Sequence, residues 1–338
     1  MRRELSIGVL VTAGLVGTWV HAQDSPAQAS VDCAALQQDL FADLKEVYKA
    51  GCMPSQAQLA KLADNPVGNF AAFPIQYDAI QIEGARIDRT ETLHRLQVIA
   101  MFPTSLSKEW NLINRLVVPA LSVPINEGFG DCIGYGPGWI TDCPAFPDAL
   151  ADPFKPTRGL GDLVYVGLAS PKGVIRVEST GGAVIWGVGA TTMFPTASDE
   201  VLGTGKYSLG PTGVLGYLGK KWELGLFAQH WWSVAGDDER GDVSLTNLQY
   251  FLYYVLPWNE EAQWRIGMSP NASYNWQAPG DKLVLPVGLG IARMFEIGDL
   301  PVNLSLEVDY SAIHPDDSPS SRWDFRVYVT PVIPTFIF

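Results

Sequence analysis

Eight ionisable residues fall within stretches that alternate polar and apolar side chains: Arg115, Asp162, Glu223, Arg265, Glu307, Asp309, Asp324 and Arg326. Leu306, Val308 and Tyr310 flank Glu307 and Asp309, and Trp323, Phe325 and Val327 flank Asp324 and Arg326. Trp222 and Leu224 do the same for Glu223. Successive side chains of an extended chain point to opposite faces, so this pattern separates an apolar face from a charged one. Two kinds of chemistry are open to the charged face. It can line a conduit and set its selectivity, as rings of charge do in channels. It can instead pair across an interior and fill it. Arg326 with Glu307 or Asp309, one strand earlier, is a candidate cross-strand pair.

Signatures of covalent catalysis are missing. The sequence holds no H-E-x-x-H, no Walker A and no G-x-S-x-G. Beyond residue 22 it has three histidines, His94, His230 and His314, without metal-ligand spacing. A hydrolase would need a Ser–His pair with an orienting partner. His230, beside Gln229, Trp231 and Trp232, is the histidine to consider, against its reading as a strand-end residue at a membrane interface. Gly134, Gly136 and Gly138 lack the strand and helix of a dinucleotide site. Asp199 and Glu200 lack the Asp-x-Asp-x-Asp periodicity of a calcium loop. No metal and no cofactor is expected.

The elements that would position the charges are strands. From about residue 69 short runs of period two recur, divided by Gly, Pro, Asn and Asp. Twelve candidate strands lie near 69–82, 93–102, 110–122, 160–169, 182–194, 208–218, 222–233, 243–256, 263–270, 282–294, 301–311 and 323–336. A further short strand near Lys172–Thr180 is the least certain assignment. Short turns near 103–108, 219–221 and 257–261 alternate with longer connections at 123–159, 195–207, 234–242, 271–281 and 312–322. Trp110, Trp222, Trp231, Trp232, Trp258, Trp264 and Trp323 sit near strand ends, where amphipathic rings favour a membrane interface. About ten-residue strands, aromatic ends and unequal loops predict an all-β chain. It is read as a closed antiparallel transmembrane β-barrel of about 12 strands.

The rest of the chain fits export. Arg2 and Arg3 precede an apolar stretch of 16 residues, Leu5 to Val20, too short for a spanning helix, and Val20-His21-Ala22 suits cleavage. Residues 1–22 therefore read as a signal peptide. Its removal takes away a net charge of +1 from −13 and leaves −14, which argues against nucleic acid as a partner. Charged residues make up only 17 % of the chain and apolar ones 47 %. A charged fraction this far below the usual quarter suits a chain whose outer face meets lipid.

Residues 23–66 form an N-terminal segment ahead of the barrel, 67–338. Its residues 34–63 read as helical, from Leu36, Leu40, Leu44, Val47 and Tyr48, with a second short helix from Ser55 to Ala63. It is either a periplasmic helical pair or a plug in the barrel mouth, and its place before the first strand favours the former. The four cysteines are Cys33, Cys52, Cys132 and Cys143. Cys132 and Cys143 lie in a Gly/Pro-rich stretch and are a candidate loop disulfide. Cys33 and Cys52 pose a problem. One straight helix would hold them roughly 28 Å apart, and a disulfide needs Cα atoms within about 7 Å. Either the helix breaks or they do not pair with each other.

Several segments together resemble a known family. LAKLADNPVGNFAAFPIQYD at 59–78 and WNLINRLVVP at 110–119 are followed by GLGDL at 159–163 and SPKG at 170–173. WGVGATTMFPTASDEVLGTGKYSLGPT at 186–212, WSVAGD at 232–237 and PVGLGIARMFEIGDLPVNLSLEVDY at 286–310 complete the set. Roughly residues 59–338 resemble the outer-membrane family labelled "MetA-pathway of phenol degradation" or "transporter". The C-terminal FRVYVTPVIPTFIF, ending in Phe338, resembles the last strand of outer-membrane proteins, whose terminal aromatic is read by the barrel-insertion machinery. The resemblance implies a Gram-negative outer-membrane location among lipids. It implies passive passage of a small, aromatic or hydrophobic solute. The alternatives are an outer-membrane hydrolase and a structural barrel with a closed lumen.

Overall fold

The computed structural model describes residues 32–83, 90–132, 151–258, 263–298, 300–316 and 318–334. The proposed signal peptide, Cys143 and Phe338 lie outside the described residues, so the Cys132–Cys143 pairing and the terminal aromatic are not placed.

Twelve strands form one closed antiparallel ring. They are β1 (Phe70–Ala72 continued by Ile75–Glu83), β2 (Glu91–Ser105), β3 (Trp110–Val123), β4 (Thr157–Leu160 continued by Leu163–Pro171), β5 (Gly182–Phe194) and β6 (Lys206–Leu218). There follow β7 (Trp222–Gly236), β8 (Ser244–Val255), β9 (Arg265–Met268 continued by Asn271–Asn275), β10 (Leu283–Ile297), β11 (Leu300–Ile313) and β12 (Ser320–Pro334). Each strand pairs with its sequence neighbour, and β12 returns to β1 with Arg326 opposite Asp78 and Val329 opposite Ile75. Closure leaves no sheet edge unpaired, a condition for a sheet in hydrocarbon. The expected strands agree with these to within three residues, except that β9 runs to Asn275, five residues into the connection expected at 271–281. The uncertain segment supplies a three-residue strand, Ile175–Val177, folded back on β5.

Burial is inverted relative to a soluble protein. On β11 Glu307, Asp309 and Ser311 are buried, whereas Leu306 and Val308 are 48 % and 40 % exposed. On β7 Glu223 is fully buried between exposed Trp222 and Leu224. This arrangement is unfavourable in water and favourable in lipid, where an apolar band faces acyl chains and polar groups face inward. Aromatic contacts gather at both ends of the ring. Trp222 meets Tyr254 at 4.8 Å near the short turns, while Tyr310 meets Trp323 at 4.7 Å and Tyr274 meets Trp276 at 4.6 Å near the long loops. Trp231 departs from the interface expectation: it points inward and donates to Thr191 Oγ1 at 3.1 Å.

Three short helices precede β1: α1 (Cys33–Gln38), α2 (Leu44–Lys49) and α3 (Gln56–Ala63). Asp43 accepts from Lys45 N and caps α2, so the first predicted helix is two, separated at Asp39–Asp43. That break brings Cys33 and Cys52 to a Cα distance of 5.5 Å, and they form a disulfide. Ser55 and Gln58 make a reciprocal capping box that starts α3 where Pro54 ends the preceding turn. A chain-entropy estimate gives the disulfide, with 19 residues of separation, about 3 kcal/mol of constraint on the unfolded segment. Cys33→Ala/Cys52→Ala is therefore expected to speed proteolysis of residues 33–55 while the barrel keeps its heat-dependent gel shift. Equal cleavage rates would contradict this.

Candidate functional site in the lumen

Four adjacent strands contribute one row of alternating charge. Arg95 on β2 lies opposite Asp78 on β1, Asp78 opposite Arg326 on β12, and Arg326 opposite Glu307 on β11. Asp309 and Asp324 face each other in the next row, two residues along each strand. Arg326 is the hub. Its Nε donates to Asp78 Oδ1 at 2.9 Å, and its Nη2 to Asp324 Oδ2 at 3.1 Å. It also lies 3.4 Å from Asp309 Oδ2 and 3.7 Å from Glu307 Oε1. Arg95 Nε donates to the other Asp78 oxygen at 3.0 Å. Four carboxylates thus share two guanidiniums. Glycines on β10 make room for them: a Cβ at Gly288 would collide with Asp309 Oδ1, and one at Gly290 would crowd Glu307.

Pro270 interrupts β9 and frees the backbone of Ser269 to serve this network. Ser269 N donates to Glu307 Oε1 at 2.6 Å, and its carbonyl accepts from Arg326 Nη1 at 3.2 Å. Tyr253 Oη, on β8, donates to Glu307 Oε2 at 3.2 Å. Ser269 Oγ donates to the same Oε2 at 3.0 Å, so Glu307 is held by three donors besides its guanidinium neighbour, which offsets the cost of burying it.

A second group of charges joins the N-terminal segment to the wall. Lys61 of α3 pairs with Glu223 on β7, and Asp64, at the end of α3, pairs with Arg265 on β9. Arg265 also donates to Asn303 Oδ1 at 2.6 Å and lies 3.8 Å from Glu223 Oε2. Lys61, Glu223 and Arg265 are almost fully buried. Val67, Leu62 and Ala63 pack on the lumen-facing Ile113, Leu168, Ile185 and Phe227. These contacts seat the segment, as a plug would be, in the end of the ring that carries the short turns. Its outer margin is tied by Asp39, whose carboxylate receives both Nη1 and Nη2 of Arg176 at 2.6 and 2.9 Å.

The hydrogen bonds from Arg176 hold the Asp39 carboxyl below its ordinary value of 3.8. A depressed folded-state value means this contact stabilises above pH 3.8 and is lost as pH falls through the lowered value. Both partners are substantially exposed, so the effect is small. Proteolysis of residues 33–55 is expected to accelerate below about pH 4, to a smaller degree in Asp39→Asn. A pH response identical in the variant would remove Asp39 as its source.

The other expected lumen residues lie elsewhere. Asp162, between the two parts of β4, faces the long-loop end. It accepts from Thr196 N and Ala197 N, both at 3.1 Å, and from Thr204 N and Oγ1 at 2.6 and 2.7 Å. With Arg240, which donates to the carbonyls of Glu200 and Gly203, it fixes the 195–205 loop. Asp199 caps a short turn there through Val201 N. Arg115 on β3 is the one positive residue of the eight without a carboxylate partner among the described residues. Its guanidinium reaches across to lie 5.3 Å from the Phe227 ring centroid on β7. Between plug and network lies a chamber of about 170 Å³, walled by Arg115, Arg265, Arg326, Phe227, Phe251 and Tyr328. A cleft of about 590 Å³ separates α2 and α3 from the β4–β5 wall outside it.

Sequence reasoning missed Asp78, Arg95, Lys61, Asp64, Tyr253 and Ser269. Asp78 was detectable, since it alternates with Tyr77 and Ala79. Lys61 and Asp64 sit three apart and share a helix face, but nothing local distinguishes that face from a solvated one.

On the outer wall His230 Nδ1 lies 2.7 Å from Thr246 Oγ1, which also accepts from Trp276 Nε1 at 2.9 Å. The hydroxyl belongs to threonine, and the buried His230 Nε2 has no hydrogen-bond partner among the described residues. Among the described residues no orienting group of the kind nucleophilic catalysis requires completes this pair.

No family model matches the chain, and no curated protein matches it. Solved structures do. A COG4313 outer membrane channel from Pseudomonas putida F1 aligns over 79 % of this chain and 96 % of its own, with 14 % identity and a TM-score of 0.50. The outer membrane phospholipase A of Escherichia coli aligns over 81 % and 96 %, with 14 % identity and a TM-score of 0.36. A Pseudomonas aeruginosa FadL homologue aligns over 80 % and 92 %, with 10 % identity and a TM-score of 0.30. At such identities the first likeness speaks for the barrel fold, and the weaker two carry no argument.

Proposed function

We propose that the chain is an outer-membrane channel for passive passage of small solutes, with the plug at its periplasmic end. The observation that carries this reading is a charged, incompletely filled lumen inside a closed ring whose outer face is apolar. Twelve strands fall between the eight that side chains fill and the sixteen or more that leave a wide channel, so a narrow, gated path is the natural outcome. The apolar side chains around the chamber suit an aromatic or hydrophobic solute. The segments quoted above and the fold of the COG4313 channel support kinship with the "MetA-pathway of phenol degradation" family. Export by a cleaved signal and recognition of Phe338 by the insertion machinery complete the reading.

Purified full-length protein in a planar bilayer tests it. Discrete conductance steps, with swelling of proteoliposomes in small solutes, are expected. A barrel that stays silent both intact and without residues 33–64 would be a closed structural barrel.

A further inference from the structure

We propose that Arg115 anchors the carboxylate of a small monoanion with an apolar, single-ring body inside the chamber. The proposal rests on the channel reading and narrows its substrate class. Three other guanidiniums face this interior, and each is matched: Arg326 by four carboxylates, Arg265 by Asp64 and Glu223, Arg95 by Asp78. Arg115 has no such partner among the described residues. A cation held between strands without a counter-ion is costly, and a ligand that supplies one removes that cost.

The surroundings say which anion. The guanidinium lies over the Phe227 ring, 5.3 Å from its centroid, and a guanidinium's N–H fork suits a planar, bidentate acceptor such as a carboxylate. The remaining positive groups are committed to wall or plug carboxylates, so a single negative charge is matched and a dianion is not. Around Arg115 the chamber presents Met101, Ile113, Leu168, Phe227 and Phe251, with Tyr328 as a further polar edge. Its volume of about 170 Å³ holds on the order of a dozen water-sized probes, the scale of a one-ring acid. A carboxylate head on Arg115 with its ring against Phe251 and Ile113 would satisfy both the charge and the apolar wall.

Equilibrium dialysis of the full-length protein in detergent, with benzoate as probe and benzamide as its neutral counterpart, tests this. Conductance is recorded on the same preparations. Benzoate is expected to bind at least tenfold more tightly than benzamide. Arg115→Gln is expected to abolish the preference and Arg115→Lys to restore part of it, with folding of each variant checked by its heat-dependent gel shift. A conducting wild type that binds benzoate and benzamide alike, or an Arg115→Gln variant that keeps the preference, overturns the site and leaves the channel reading standing. A protein that neither conducts nor binds either probe, with or without residues 33–64, overturns both.

Discussion

Arg326→Met is expected to destabilise the barrel by about 3–5 kcal/mol, the cost of stripping a buried charge of its partner. It would also leave the lumen with a cluster of unpaired carboxylates. Asp78 keeps Arg95, but Asp309 and Asp324 face each other with no other guanidinium within ion-pair distance among the described residues. The Ser269 carbonyl loses one of its two side-chain donors and keeps Gln249 Nε2 at 3.4 Å, which weakens the hold on Glu307. Arg95→Met is the internal comparison. Among the described residues Arg95 pairs with Asp78 alone, and it is 30 % exposed, so its loss should cost about 1 kcal/mol or less. Unfolding midpoints in denaturant, read through the heat-dependent gel shift, separate the two. Similar midpoints for both variants would show that the hub role is mistaken.

Unseating the plug is expected to have the largest effect on conductance. The double variant Lys61→Met/Asp64→Asn removes the plug members of the two ion pairs with Glu223 and Arg265 and leaves both of those wall charges in place. Glu223 and Arg265 already lie 3.8 Å apart, so they can pair with each other and the wall stays neutral. The seat, by contrast, loses two buried ion pairs, each breakage amounting to about 3–5 kcal/mol by analogy with other buried pairs. A severalfold rise in mean conductance is expected, together with faster proteolysis of residues 33–64. Deletion of residues 33–64 should reproduce the conductance of the double variant. If conductance stays at the wild-type level in both, the plug is not what restricts the path.

Much of this architecture is legible in the residues because a strand against lipid has a strict period. Val302 to Tyr310 and Trp323 to Val329 expose one apolar face whatever the neighbouring strands do, and the inward charges are the residues left over. The interruptions at Pro74 and Pro270 are harder to read. A proline in a strand pattern signals an edge or a break, but not that Ser269 will turn its amide toward a carboxylate on β11. Register across the seam is invisible for the same reason: Asp78 and Arg326 come from opposite ends of the strand series, and only ring closure aligns them. Plug contacts were the least legible. A short helix with lysine and aspartate on one face suits water as well as a lumen, and the alternatives for Cys33 and Cys52 were separated only by the cap at Asp43, which breaks the helix.

The place of the plug in the chain has a consequence for the order of events in assembly. α3 is synthesised before any strand, yet its partners Glu223 and Arg265 belong to β7 and β9, and it packs beside β10, β11 and β12. It cannot reach its final seat until the last third of the wall exists. Until then those wall charges must stay hydrated, so a partly inserted barrel has to keep one side open to water. Joining β12 to β1 and docking α3 are then coupled late steps, and the first helices to leave the export channel are among the last to find their place.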